Sequence, residues 1–411
     1  MTERLDTDVL VVGGGAAGLA AACLFADQGL QTLCVDAAAP RDDADAPGAD
    51  LRTAALLRPS VEALEGCGAW AHMAGEAAPL WTMRLIDAGG PEPAPEARET
   101  ADFVSSEIQD QPFGWNLPNT TIRRALLARV EEVETCALRA PAALTGLVLR
   151  EREALATLSD GASVRARLVA AADGRDSAAR RLAGLEARRW SYAQKALVFA
   201  VTHEVPHEGV STEIHRTGGP FTLVPLPDGP DGTHRSSVVW MEDGPKAVAL
   251  ADAAREDLVG FEAALNARSC GVLGRLSLAS PVAVWPIVSQ LAGRLDGPRL
   301  ALMGEAAHVV PPIGAQGLNM SIADAAALAR LAGEAARAGH DPGAPEALAR
   351  YHRARWPDMA LRVTGVDALN RAAMATAQPV RDLRRLGLSA LHRLRPARRA
   401  AMRLGMGARR G

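Results

Sequence analysis

Apolar residues in this chain fall in short, abrupt runs that end at a glycine or an acid. That is the pattern of strands buried on both faces rather than of half-exposed, alternating ones. Asp8-Val-Leu-Val-Val12 is such a run, and Leu168-Val-Ala-Ala-Ala172 and Leu300-Ala-Leu-Met303 repeat it. Leu19 to Gln28 is rich in Ala and Leu and stops at Gly29, which predicts a helix with a glycine cap. Thr32-Leu-Cys-Val35 predicts a second strand, ending on Asp36. From Thr120 to Val133, residues Ile122, Ala125, Leu126, Leu127 and Val130 share one helical face. Thr82 to Ile86 and Ala196 to Thr202 read as strands of another sheet. Near the end, Leu383, Leu386, Ala390 and Leu394 form a stripe on a helix from Val380 to Arg395, and Pro396 opens a second short helix.

The stretch Val9 to Ala26 holds eighteen uncharged residues, long enough to cross a membrane. Four glycines interrupt it, and the preceding MTERLDTD is more acidic than basic, unlike a signal sequence. Strand, turn and helix explain it better. Gly13-Gly-Gly15-Ala16-Ala17-Gly18 is G-x-G-x-x-G in its full context. Gly13 permits the tight turn, Gly15 lets the backbone approach a pyrophosphate at the helix N-terminus, and Gly18 lets helix and strand pack closely. Asp36, 23 residues after Gly13, stands where an acid holds a ribose hydroxyl. The pattern predicts a Rossmann-like α/β domain that binds one dinucleotide, for no second fingerprint of this kind follows. A single site so near the first residue is, by analogy, the usual place for FAD.

Two later segments extend the pattern. The run at 168–172 ends on Asp173-Gly174-Arg175. Residues 300–324 read LALMGEAAHVVPPIGAQGLNMSIAD: a strand into Gly304-Glu305, a Pro/Gly loop, and a helix starting near Gly317-Leu318-Asn319. The three glycine-rich strand ends together resemble the single-component flavin hydroxylases of the para-hydroxybenzoate hydroxylase fold. The departure is Glu305, where that family has Asp. Pro112-Phe-Gly-Trp-Asn-Leu-Pro-Asn119, Arg188-Arg-Trp190-Ser-Tyr192, His215 to Pro225 and Val238-Val-Trp240 are similar to the ubiquinone-biosynthesis hydroxylases, and so is the Arg-rich end. The likeness runs from about residue 5 to about 405.

The resemblance implies an FAD domain built from residues 1–75, 105–185 and 285–345, an inserted substrate-facing β-sheet from 76–104 and 186–284, and basic C-terminal helices over 346–411. It implies that Arg52 reaches the FAD pyrophosphate. Asn119 is either a cofactor-binding amide or simply a helix N-cap. Asp173 sits where ligands bind in open α/β sheets, or caps an Asp-Gly turn. Gly304 and Glu305 face ribityl or ribose hydroxyls, and Glu305, one methylene longer than Asp, must reach them differently or through a water. Pro312 cannot donate a hydrogen bond and suits a wall beside the flavin ring. Amides around Gly317, Leu318 and Asn319 can stabilise negative charge on reduced flavin. His308 is a proton-transfer candidate, with Tyr192 and His215 as further candidate bases, although a lone histidine is more often structural. The implied reaction hydroxylates the ring of a polyprenylated phenol in ubiquinone biosynthesis. NADPH or NADH reduces FAD, and O2 adds at flavin carbon 4a to give a hydroperoxide. Other ubiquinone-biosynthesis proteins are implied as partners.

Composition narrows the alternatives. With 48% apolar and 23% charged residues, a chain of 411 residues is globular rather than disordered. A net charge of −3 gives no general attraction to nucleic acid. Residues 379–411 nevertheless carry net +9, leaving −12 on the rest, so this end is the candidate for an anionic membrane surface. Five scattered cysteines without CxxC read as free thiols in a reducing, cytoplasmic setting, with peripheral membrane contact. No metal-spaced His/Cys cluster, G-x-S-x-G elbow or P-loop occurs. A flavin oxidase or dehydrogenase shares only the first motif, and the Trp-x-Trp-x-Ile-Pro of flavin halogenases is absent. A non-catalytic FAD-containing subunit of a biosynthetic complex is the remaining alternative, with Glu305 its only local hint.

Overall fold

The strand Arg4–Val12 is exposed where it begins and fully covered from Val9 onward. It therefore lies at the centre of a sheet. The computed structural model describes residues 3–40, 50, 52–89, 96–216, 218–374 and 392–407. In it, Thr32–Val35 and then Cys136–Arg139 run parallel on one side of this strand, and Ser163–Ala171 and then Leu300–Leu302 on the other. Val12 is level with Val35 and Ala171, and Ala171 with Leu302. Four strands thus end on one edge, where Gly13, Asp36, Ala172 and Met303 follow. The chain builds outward from the first strand in both directions, which makes this edge the switch point where α/β sheets bind ligands.

Helix Ala16–Asp27 is buried along nearly its whole length, packed against the sheet and helices Asn119–Glu132 and Gln316–Arg337. A helix apolar on all sides fits that place. It starts three residues before the expected Leu19, because the turn glycines release the chain directly into the first helical residue. Cys23, Cys34, Cys67 and Cys136 are buried in this half of the molecule, and all five cysteines are free. Burial pushes their thiols up, Cys136 to about 11.

The second sheet has nine strands. Its spine, Ala187–His203, pairs antiparallel with His234–Asp243 and Ala283–Ala292. Pro220–Pro225, Val210–His215, Thr82–Gly89 and Glu96–Val104 extend it. Side chains alternate between its faces. Leu197, Phe199 and Val201 pack with Phe261 beneath helices Gly244–Glu256 and Leu258–Arg268, while Ala196, Val198, Met241 and Ile287 meet Ile313 and Val366. Strand Ala283–Ala292 runs through the boundary expected at 285, and His308–Val309 pairs with it. The segment after Gly304 is therefore stitched to the second sheet. The spine is longer than the expected 196–202, because its polar first half (187–195) carries no continuous apolar signal.

Helix Pro345–Met374 lies on Gln316–Arg337. The apolar stripe expected from Val380 to Arg395 falls almost wholly outside the described residues. The second helix, Arg395–Met406, forms as expected with Pro396 in its first turn. Met402 is buried with Ala101, Phe103 and Phe113, and Arg398 pairs with Glu107 at 2.7 Å. This piece packs on the body of the protein. Among the described residues no helix is long and apolar enough to cross a membrane, and no cluster of metal-ligating side chains occurs.

Candidate active site

The three glycines of the first motif differ in what surrounds them. Gly13 has φ +110°, and a Cβ there would stand 2.4 Å from the carbonyl oxygen of Ala172. A Cβ at Gly18 would meet the oxygen of Gly13 at 1.7 Å. Both positions close the turn onto the sheet. At Gly15 a Cβ would meet no atom of the described residues within 4 Å. That space lies in front of the N-terminus of Ala16–Asp27, which has no side-chain cap and no acid in its first turn. Unspent backbone N–H groups and the helix dipole there suit a phosphate, so the chain fits a dinucleotide pyrophosphate. Asp36 buttresses the turn: Gly14 N donates to its Oδ2 at 2.5 Å and Ala38 N to its Oδ1 at 2.8 Å.

The third motif stands beside the first. A Cβ on Gly304 would touch Ala17 Cβ at 3.4 Å. Beyond it, Pro312 and Gly317 are exposed, Leu318 is half-buried and Ile313 is buried. Helix Gln316–Arg337 also begins without a side-chain cap or an acid, and a Cβ on Gly317 would meet no atom of the described residues within 4 Å. Both helices thus begin without a side-chain cap. The Asn319 side chain is engaged within the protein. Its Oδ1 accepts from Leu57 N at 2.8 Å, and its Nδ2 donates to the oxygens of Ala55 and Ala315. Asn319 ties this helix to strand Thr53–Leu57.

Arg52, Asn119 and Glu305 come together, with two residues, Asp50 and Trp285, that no motif marks. Asp50 receives Arg52 in a two-point ion pair, both contacts at 2.7 Å, and Asn119 Nδ2 at 2.8 Å. Burial would raise the Asp50 carboxyl, but the Arg52 guanidinium and the Asn119 amide outweigh it and hold the carboxyl below its usual range. Arg52 lies 4.3 Å over the Trp285 ring. Glu305, half-exposed, adds its negative field to Arg52 and stands 3.8 Å from Arg175. Pro118 is the N-cap of helix Asn119–Glu132. Asn119 is therefore not the cap, and its amide is directed into this cluster. A D-x-R spacing is too common to have marked Asp50.

Two acidic or basic side chains of the motifs are engaged within the protein. Asp173 accepts from Ser177 Oγ at 2.5 Å and Ala179 N at 3.0 Å, which ties its half-exposed carboxylate to the start of the short helix Ala178–Leu182. His308 is 1% exposed, with Nε2 on Asp324 Oδ2 at 2.8 Å. It is not presented to a substrate. Asp324, wholly buried, also accepts from Gly304 N at 3.3 Å and Arg355 Nε at 2.8 Å. Burial alone would raise its carboxyl, yet Arg355 and His308 hold it below the ordinary carboxylate value. The other candidate bases are also engaged. Tyr192 OH donates to Asp367 at 2.5 Å, and burial first, then Asp367, raises its phenol. His215 Nε2 lies 2.6 Å from Glu213.

Comparison with known proteins agrees with this geometry. The FAD binding domain family matches residues 6–364. The chain is 37% identical over 400 residues to ubiquinone hydroxylase UbiL of Rhodospirillum rubrum, covering 97% of this chain and 89% of the relative. It is 28% identical to 3-demethoxyubiquinol 3-hydroxylase of Escherichia coli, over 99% of this chain and all of the relative. The fold superposes on p-nitrophenol 4-monooxygenase PnpA of Pseudomonas putida with a TM-score of 0.80 at 18% identity, each chain covered in full. The chain belongs to the FAD-binding-domain family, and within it to the FAD-dependent monooxygenases.

Proposed function

We propose that the protein hydroxylates the ring of a polyprenylated phenol in ubiquinone biosynthesis, with NADPH or NADH and O2 as co-substrates. The observation that carries this reading is the end-to-end likeness to a ubiquinone hydroxylase. Bound FAD would supply the oxygen-activating chemistry. The amides at Gly15 to Ala17 would hold its pyrophosphate, with Arg52 as counter-charge. The start of helix Gln316–Arg337 would steady negative charge on the reduced ring, and Glu305 would face ribityl or ribose hydroxyls. Pro312 would wall the ring without offering a proton. The apolar sheet face of Val198, Met241 and Ile287, with Ile313, would keep water from the reacting atoms. In the test, a prenylated phenol should stimulate NAD(P)H oxidation several-fold and gain one oxygen by mass spectrometry. Stimulation without oxygen gain, or neither, would reject the hydroxylase reading.

The same reading puts the protein beside an anionic membrane surface, because a polyprenylated phenol dissolves in the bilayer. Arg393, Leu394, Arg395, Arg399, Arg403 and Leu404 are exposed on the C-terminal segment while its inner face packs on the protein. Each surface arginine near an anionic leaflet adds up to about 1 kcal/mol, screened by salt. Replacing Arg393, Arg395, Arg399 and Arg403 together with Gln should release the protein from anionic liposomes at low salt. Undiminished co-sedimentation of that variant would remove this surface from the account.

A further inference from the structure

The turn before helix Gln316–Arg337 is strained in an informative way. Gly314 and Ala315 both lie in the left-handed region, at φ +62° and +54°. For alanine this costs on the order of 1–2 kcal/mol, and such strain persists only where the surroundings impose it. Two side-chain amides impose it here. Asn319 Nδ2 donates to the Ala315 oxygen from the side of strand Thr53–Leu57. Gln316 Nε2 donates to the Gly314 oxygen at 2.8 Å and to the Gly405 oxygen of the C-terminal helix at 3.1 Å. Arg362 Nη1 in turn donates to Gln316 Oε1 at 2.6 Å, so the glutamine amide is engaged at both ends.

Arg362 is one end of a ladder. Its Nε reaches Asp358 at 3.1 Å, Asp358 accepts from Arg355 at 3.0 Å, and Arg355 holds Asp324, on which Gly304 N and His308 rest. Residues 355, 358 and 362 are one and two turns apart on a single helix. They therefore hold both ends of the segment 304–316 from one helix, and the C-terminal helix closes the bracket through Gly405.

We propose that Arg362 and Gln316 are positioning residues for the flavin-facing helix N-terminus: by fixing the left-handed turn they aim the amides of Gly317 and Leu318 at the flavin ring, where these amides favour its reduced, anionic state. The inference depends on FAD binding, not on which phenol is hydroxylated, so its test is electrochemical and stands apart from the substrate assay.

The holoenzyme is titrated by spectroelectrochemistry, without substrate, as wild type, Arg362→Met, Arg362→Lys, Gln316→Met and Gln316→Glu. Glutamate at 316 can still accept from Arg362 but cannot donate to Gly314 or Gly405. We expect Arg362→Met, Gln316→Met and Gln316→Glu to lose about tenfold in relative affinity for reduced over oxidised FAD, a fall of about 30 mV in the two-electron midpoint. Arg362→Lys should recover part of it. Oxidised FAD should bind within about twofold of wild type. An unchanged midpoint in the two Gln316 variants would overturn the proposal. Equal weakening of oxidised and reduced FAD would overturn it as well, since that is what loss of general structure produces. Should Arg362→Met fail to fold, the Gln316 pair decides alone.

Discussion

Gly15→Val should yield a folded but colourless protein. A Cβ at Gly15 would meet none of the described residues within 4 Å, and its φ of −73° is open to any residue, so a larger side chain there is compatible with the apoprotein. Its branched side chain would fill the place where a pyrophosphate must meet the N-terminus of helix Ala16–Asp27. FAD occupancy after purification, read from the ratio of visible to ultraviolet absorbance, should drop by more than tenfold with far-ultraviolet circular dichroism unchanged. Gly18→Val offers the contrast: its Cβ would overlap the oxygen of Gly13, and there the fold itself should fail. A yellow Gly15→Val protein would place the cofactor elsewhere.

Asp324→Asn should be the most damaging single change away from the cofactor. It leaves the buried Arg355 without a full counter-charge, and breaking a buried pair from one side costs about 3–5 kcal/mol. The loss would be measured by urea denaturation at a fixed FAD concentration, because bound ligand itself adds stability. The effect should depend on pH in a defined direction. The native Asp324 carboxyl lies below its unfolded value, so its contribution is complete above about pH 4 and fades as the pH falls through the native value. Wild type and Asp324→Asn should therefore converge at strongly acidic pH. A constant difference down to pH 2 would show that the ion pair is not what the substitution removes.

Much of the geometry of the glycine turn was legible in the sequence. Gly13 and Gly18 sit where the turn leaves no room for a Cβ, and Gly15 sits where a Cβ would meet no described atom. Arg52, Asn119 and Glu305 were found through family likeness, and they converge. What escaped notice depends on contacts between distant segments. Asp50 has meaning only because Asn119 and Trp285 arrive beside Arg52 from elsewhere in the chain. Asp324 looks like any helical acid until Arg355 and His308 close on it. Sequence proximity is a weak guide to side-chain direction: His308 lies within the third motif, yet its side chain turns to buried Asp324, because a strand end presents backbone as readily as side chains. The spine of the second sheet was underestimated where Arg188, Arg189 and Lys195 hid its period.

The buried cysteines have a bearing on how the enzyme survives its own chemistry. A flavoprotein that activates oxygen releases hydrogen peroxide whenever a turnover miscarries, and its own sulfur is the first target. Peroxide attacks thiolates, and a thiol kept out of water remains protonated. Cys23, Cys34, Cys67 and Cys136 surround the cofactor-binding half but are sealed inside it, with thiols raised by burial. Cys270, the half-exposed one, lies beside the helices on the far face of the second sheet. Self-inflicted oxidation should therefore begin at Cys270, the most accessible of the five, even though burial raises its thiol as well.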